Sequence, residues 1–319
     1  MPPRSVAVIL NPVAGNRRAG RARVQMRKAF DAAGVPFEIF ETERPNHAST
    51  LARRAAARFD AVFAAGGDGT VQEVASGLLD TDTVLGIVPL GTGNDLGKLL
   101  GVPTRPGDAI RALLAAEAVP VDAGTVRWQE AGAPERVHEA VFVNAVGVGF
   151  DALVAAEADR LKLVRGISGY IAAVWKALRV WEQPEVEARR VPVAAGIDEA
   201  PEPLYRGPFF LAAVSNGVSV GGGFRLTPEA RVDDGLLDLC LVAGPLGLAR
   251  ILVLLPKAIG GRHLGEPEVT MGRVERLGLR LSAGVPIHCD GEVLTRSAVE
   301  VEVGVRPGAF RMLRPRPRA

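Results

Sequence analysis

Short apolar runs separated by amphipathic stretches organise the first third of the chain. Residues 5–10, 37–40, 61–65 and 84–88 read as strands, and residues 19–33, 47–58 and 70–79 as helices. Strands this short and apolar, alternating with helices, predict a parallel sheet covered on both faces. Beyond about Pro120 the rhythm changes. Strand patterns at 137–146, 186–194, 208–215, 236–242, 278–281 and 298–303 are separated by turns rich in Gly, Pro and Asp, the signature of a mainly antiparallel β domain. Two helical insertions, 152–181 and 246–259, interrupt it. The expected architecture is therefore α/β plus β in two domains, the first spanning residues 1–122 and the second 123–304.

Composition narrows the class. The 319 residues are 48% apolar and 23% charged, as in a globular protein. Thirty-eight Lys and Arg against 36 Asp and Glu argue against a protein that coats nucleic acid. The two cysteines, Cys240 and Cys289, lie far apart, and the four histidines form no metal-binding pattern. No apolar stretch approaches the ~18 residues of a membrane-spanning helix. The amino end reads as a first strand rather than a signal peptide, so a cytoplasmic protein is expected. The basic, Pro-rich 311–318 ends as a tail.

Glycine-rich clusters carry the candidate chemistry. Asn11-Pro12-Val13-Ala14-Gly15 follows the first strand, and Gly15 lets backbone approach a ligand. Gly66-Gly67-Asp68-Gly69-Thr70 joins a strand to a helix, where several N–H groups and the helix start form a phosphate cradle. Asp68 is unexpected beside phosphates unless it reaches a metal ion or a substrate hydroxyl. Pro89-Leu90-Gly91-Thr92-Gly93-Asn94-Asp95 ends the next strand, so two such loops stand at adjacent strand ends. A Walker A loop is absent, since Thr92 stands five residues before Gly97-Lys98. Gly147-Val148-Gly149-Phe150-Asp151-Ala152 has dinucleotide-site spacing but no acidic residue ending a later strand, and reads as a turn. Two weaker clusters follow, from Gly221-Gly222-Gly223-Phe224 to Asp233-Asp234-Gly235, and Asp290-Gly291-Glu292.

In this order the clusters resemble the diacylglycerol kinase catalytic-domain family, in its bacterial lipid-kinase branch. Gly-Gly-Asp-Gly is shared with NAD kinases and phosphofructokinases; the Gly91-Thr92-Gly93-Asn94-Asp95 loop and the closing Asp290-Gly291-Glu292 narrow the likeness to lipid kinases. The resemblance implies a nucleotide cleft between an α/β ATP-binding domain and a β-sandwich, with residues 305–319 rejoining the first domain. It implies ATP contacts from Asn11, Pro12, Val13, Ala14, Gly15, Thr42, Gly66, Gly67, Asp68, Gly69, Thr70, Val71, Gln72, Gly91, Thr92 and Asn94. It gives Glu292 the role of proton acceptor, with Asp290 a second candidate and Asp68 as holder of the catalytic magnesium or orienter of the acceptor. It implies a further Mg2+ that supports the fold, held by the Asp234 carboxylate and the carbonyls of Arg231 and Leu236.

The expected activity is ATP-dependent phosphorylation of a hydroxyl of diacylglycerol or a related lipid. The alternatives are a soluble-substrate kinase such as one acting on NAD, and a catalytically silent lipid- or nucleotide-binding regulator. A membrane acceptor calls for transient peripheral contact with the inner membrane face. Val164, Ile167, Ile171, Val174, Leu178 and Trp181 form an apolar stripe, flanked by Lys162, Arg165, Lys176 and Arg179 suited to anionic headgroups. The 246–263 stretch, with Arg250, Lys257 and Arg262, invites the same expectation. A homodimer is left open, and which carboxylate takes the proton is not readable from the pattern.

Overall fold

The computed structural model describes residues 3–17, 19–160, 167–191, 202–221 and 223–316. They form two compact units: residues 1–123 with 307–319, and residues 124–306.

In the first unit, strands β1 (Val6–Leu10), β2 (Phe37–Glu41), β3 (Ala61–Gly66) and β4 (Val84–Pro89) alternate with helices α1 (Ala14–Arg17), α2 (Ala19–Ala33), α3 (His47–Ala56), α4 (Asp68–Leu78), α5 (Asp95–Leu99) and α6 (Pro106–Leu114). β1 pairs in parallel with β2 and β3, and β3 with β4. Every residue of β1 and β3 is buried, so no alternation shows in their sequences. Phe30 of α2 stacks on Phe37 at 4.5 Å and reaches Phe63, pinning that helix to the sheet. α6 has no counterpart among the expected elements; Pro106 starts it in the first turn, where an N–H has no intrahelical acceptor to lose.

The second unit opens within β5 (Glu117–Glu130), which pairs with β6 (Ala133–Phe142) as a hairpin. β7 (Ala145–Gly149), α7 (Phe150–Arg160), α8 (Ile167–Val180), β8 (Glu185–Arg190), β9 (Glu202–Ser215), β10 (Leu237–Ala243), α9 (Leu248–Ile259), β11 (Val269–Val274), β12 (Arg276–Cys289) and β13 (Glu292–Arg314) follow. Pairing there is antiparallel: β10 lies between β11 and β9, and β7 between β9 and β12. β9 and β12 change partners along their length, meeting β8 at one end and β7 at the other. Their inward residues, with Trp128, Phe142 and Phe209, form one apolar core, while α7, α8 and α9 pack a second against β7, β9 and β10. The far end of β13 leaves this unit, and Met312 pairs in parallel with Leu85 of β4.

Several boundaries differ from the sequence pattern. The expected helix 152–181 is two helices, and Lys162, Val164 and Arg165 lie outside the described residues. The expected strand 137–146 breaks at Val143 and Asn144 for a reason found in the candidate site below. The strand patterns at 278–281 and 298–303 are the middles of the far longer β12 and β13. Around Gly221–Gly223 no strand forms among the described residues, only a bridge between Val220 and Phe224.

Candidate active site

The carboxyl ends of β1, β3 and β4 carry three loops that bind one another. Asn11 leaves β1 with its N–H on the Ala65 carbonyl at 3.0 Å. Its side chain accepts from Val13 N–H at 3.1 Å and donates to Thr70 Oγ1 at 3.1 Å. One residue thus closes the first loop and fastens it to the start of α4. Gly15 then takes a positive φ of 59° inside α1, while Val13 stays exposed. Thr42, just past β2, donates its N–H to Leu10 O at 2.9 Å and so sits beside the same exit.

Gly67 and Gly91 meet backbone to backbone. A Cβ on Gly91 would stand 2.5 Å from Gly67 Cα and 2.9 Å from Asn94 Oδ1, so neither neighbour can rotate away. A Cβ on Gly66 would collide with the Thr70 side chain. Asn94, held at a φ of 52°, closes its loop by accepting from Gly91 N–H at 2.9 Å and donating to Gly91 O at 2.8 Å. Leu90 N–H reaches Gly66 O at 2.8 Å.

Asp68 joins the second and third loops. Its two oxygens accept the N–H groups of Asn94 and Asp95, each at 2.8 Å. That explains a carboxylate in a phosphate-type loop: it fixes the neighbouring loop through backbone. Thr70 and Val71 are buried, and Val71 N–H is taken by Gly67 O at 3.1 Å. The N–H groups just before it, in the first turn of α4, have no intrahelical acceptor and can face an anion. Gly69 lies in that turn, Gln72 one turn on, where it donates to Ser76 Oγ at 3.4 Å, and Thr92 is exposed at the loop tip.

In the second unit, the β12–β13 turn carries the other candidates. Cys289 pairs with Glu292, and Asp290 and Gly291 have φ of 49° and 91°, the two-residue turn that favours Asp-Gly. Asp290 accepts from the N–H groups of Val143 (2.9 Å), Asn144 (3.0 Å) and Ala145 (2.8 Å). Three donors turned toward one carboxylate cannot also serve a strand ladder, which is why β6 and β7 are separate strands. Burial pushes the Asp290 carboxyl up to about 6, against the pull of those donors. Asn144 and Asn216 steady the same loop: Asn144 Nδ2 donates to Ser219 O at 2.9 Å and Asn216 Nδ2 to Val143 O at 3.1 Å. Glu292, by contrast, is exposed. The structure so gives Asp290 a positioning geometry and leaves Glu292 accessible.

Sequence reasoning missed His288 and Asp151. His288 Nδ1 accepts from Gly291 N–H at 3.3 Å, so Nε2 carries the proton and faces Asp151 Oδ2 at 3.4 Å. A Cβ on Gly147 would strike both side chains, which accounts for the glycine in the apparent dinucleotide motif. Asp151 also lines an apolar pocket of about 90 Å³, together with Phe150, Val174, Phe210, Ile251, Leu254 and neighbouring residues. One polar residue opening an apolar run was the available signal.

Asp234 accepts from Leu236 N–H at 3.2 Å, and Arg273 lies 3.9 Å from Asp234 and 3.7 Å from Asp238. Asp238 Oδ2 is buried without a hydrogen-bond partner, and burial raises its carboxyl above the ordinary value. The Arg231 side chain pairs with Asp233 at 3.4 Å. Asp234 and the unpartnered Asp238 Oδ2 are the acidic oxygens here; among the described residues no group of three or more His, Cys, Asp or Glu side chains is placed to hold a metal ion.

Of the basic residues expected to meet headgroups, Lys162 and Arg165 lie outside the described residues, and three of the other five are engaged. Arg250 bonds Glu266 and Glu268 at 2.5–2.7 Å, Lys257 pairs with Glu266, and Lys176 lies 2.6 Å from Glu157. Leu248, Leu252 and Ile259 of α9 are about half exposed. Among the described residues no helix is long and apolar enough to cross a membrane.

Residues 5–126 match the family model described as diacylglycerol kinase catalytic domain, and residues 144–314 match the YegS C-terminal NAD kinase beta sandwich-like domain. A Pseudomonas aeruginosa protein named "Probable lipid kinase YegS-like" is 32% identical over 94% of this chain and 90% of its own. A Bacillus subtilis protein named diacylglycerol kinase is 29% identical over 89% of this chain and 88% of its own. A crystal structure of a diacylglycerol kinase from Bacillus anthracis str. Sterne superposes with a TM-score of 0.70, covering 99% of this chain and 98% of that one at 21% identity, a likeness of fold.

Proposed function

The chain belongs to the family that joins a diacylglycerol kinase catalytic domain to a YegS C-terminal beta sandwich-like domain, and from that premise we propose that it is an ATP-dependent lipid kinase. The first unit is its nucleotide-binding domain. The nucleotide lies on the loops of residues 11–15, 66–72 and 91–94, with Thr42 beside them, and the open N–H groups in the first turn of α4 hold its phosphates. The fixed approach of Gly67 to Gly91 orients them without reorganisation. The second unit takes the lipid. The observation that carries this reading is the apolar cavity, one of whose walls, Asp151, lies 3.4 Å from His288 in the strand that leads into the Asp290-Gly291-Glu292 turn.

In the reaction, Glu292 accepts the proton of the lipid hydroxyl as its oxygen bonds to the γ-phosphorus and the bond to the ADP oxygen breaks. Asp290 holds the turn through three backbone donors, so that Glu292 is presented from a fixed frame. Magnesium supplies charge neutralisation when bound. The Asp234 carboxylate and the carbonyls of Arg231 and Leu236 are the residues that would hold the ion supporting the fold.

The test is transfer of label from ATP to diacylglycerol, sphingosine and phosphatidylglycerol in mixed micelles, and to soluble NAD, with Glu292→Gln alongside. A labelled lipid whose formation falls at least 100-fold in the variant is expected; label in NAD alone would overturn the lipid assignment. Membrane contact rests on the half-exposed Leu248, Leu252 and Ile259 rather than on charge, because Arg250 and Lys257 are already paired. Co-sedimentation with zwitterionic vesicles should therefore persist in high salt; binding confined to anionic vesicles at low salt would contradict it.

A further inference from the structure

Helix α3 begins without a cap of its own. Asn46 precedes it at a φ of 61°, its side chain makes no capping hydrogen bond, and the first turn holds no acidic residue. The first N–H groups of a helix have no intrahelical acceptor. Ala48, in that first turn, is only 1% exposed, so its N–H is shielded from water. The acceptor comes from another helix: Glu73 Oε2, on α4, lies 3.0 Å from this N–H. A carboxylate there also opposes the positive end of the α3 dipole.

One turn further along α4, Gly77 sets the depth of the contact. A Cβ on Gly77 would stand 2.3 Å from Ser49 O and 2.9 Å from Ala52 Cβ, so the two helices meet at backbone. Glu73 and Gly77, at i and i+4 of one helix, together seat the start of α3.

That start in turn holds the segment joining α3 to β2. Glu43 N–H donates to His47 Nδ1 at 3.2 Å, and Ser49 Oγ donates to Asn46 O at 3.1 Å. Both bonds run between the segment and the first turn, so its shape follows the position of that turn. Thr42 is tied at the other end to Leu10 O, and residues 43–46 are exposed. β1 lies between β2 and β3, which puts the end of β2 about 9–10 Å from the phosphate loop after β3. The phosphate loops do not depend on Glu73. Asn11 is bonded to Thr70, and Asp68 to Asn94 and Asp95. The two ends of a bound nucleotide would therefore rest on separate supports.

Resting on the reading of an ATP-dependent kinase, we propose that Glu73 is a positioning residue for the nucleoside end of ATP. By capping α3 from α4, it sets residues 42–46 against the ribose and base, while the phosphates lie on the first turn of α4 itself. Glu73 touches no substrate and acts through Ala48.

The experiment compares Glu73→Ala with Glu73→Gln, whose amide oxygen can still accept from Ala48 N–H. Calorimetry with MgCl2 and no lipid gives Kd for ATP and for inorganic tripolyphosphate, which has phosphates and no nucleoside. Transfer from labelled ATP at saturating lipid gives KM and kcat. Glu73→Ala should raise Kd and KM for ATP about tenfold, equal to roughly 1.4 kcal/mol. Its kcat and its Kd for tripolyphosphate should stay within about twofold of the unaltered protein, the mark of lost uniform binding. Glu73→Gln should restore ATP binding. Equal weakening of both ligands in Glu73→Ala would reduce Glu73 to a support of the fold and overturn the proposal. Unchanged ATP binding in that variant, a Glu73→Gln as weak as Glu73→Ala, or tripolyphosphate bound by the unaltered protein as tightly as ATP would overturn it too. The expected shift in Kd with no label in any lipid upholds Glu73 and removes the lipid-kinase reading instead.

Discussion

Replacing Asp68 separates two roles that a carboxylate in this loop could have. Its oxygens each accept a backbone N–H at 2.8 Å, from Asn94 and Asp95. Hydrogen bonds to a charged group contribute roughly 1.5–3 kcal/mol each. Asp68 is partly exposed, so water replaces part of what is lost, and Asp68→Ala should cost about 2–4 kcal/mol. At roughly 2–4 °C per kcal/mol for a protein of this size, melting should fall by roughly 4–16 °C. The released 91–95 loop no longer packs against Gly67, so the KM for ATP should rise together with the loss of stability. Asp68→Asn should behave similarly, because its amide sets a donor against a backbone donor. The assay is differential scanning fluorimetry beside steady-state kinetics with ATP varied at saturating lipid. If melting and ATP affinity stay unchanged while kcat collapses, Asp68 acts in the chemistry alone and the strut argument is wrong.

Lowering pH through about 6 protonates Asp290 and turns one acceptor oxygen into a donor facing N–H groups. kcat/KM should therefore fall about tenfold per pH unit below that value, and Asp290→Asn should be slow throughout without that limb; an unchanged limb in the variant would count against the assignment. Stability runs the other way, since a raised carboxyl pKa contributes stability that is present below the ordinary 3.8 and lost as pH rises through about 6. Acid should thus inactivate before it unfolds, which circular dichroism at pH 5 would check. Without nucleotide, millimolar MgCl2 should raise the melting temperature, by an amount equivalent to ~2.7 kcal/mol at a hundredfold excess over Kd, and Asp234→Ala should abolish the increment; an equal rise in the variant would exclude the Asp234 site.

What could be read in the sequence was what depends on neighbours in the chain. The all-buried strands β1 and β3 and the glycines at 66, 67 and 91 announce themselves, because backbone close approach leaves no alternative to glycine. The job of Asp290 does not announce itself. Asp-Gly is an ordinary turn pair, and nothing local shows that its carboxylate gathers three donors from residues almost 150 positions earlier. The β5–β6 hairpin escaped because β6 is mostly exposed, so Glu135, Arg136 and Glu139 obscure its period. α6 was hidden by a proline that reads as a breaker except at the first helical turn. His263 looked like an isolated histidine; only the fold sets it against Leu226 and Cys240.

The return of β13 to the first unit also orders how the chain can fold. Residues 124–306 are contiguous and can close as soon as they are made, whereas the first unit waits for residues 307–319. Until Met312 reaches Leu85, β4 is a bare sheet edge of buried, apolar residues. A nascent chain therefore carries an adhesive edge through most of its synthesis, and a chain cut short before residue 307 carries it permanently. The last strand acts as a latch on a partly made protein, and the cell's exposure to aggregation is set by how long that latch stays open.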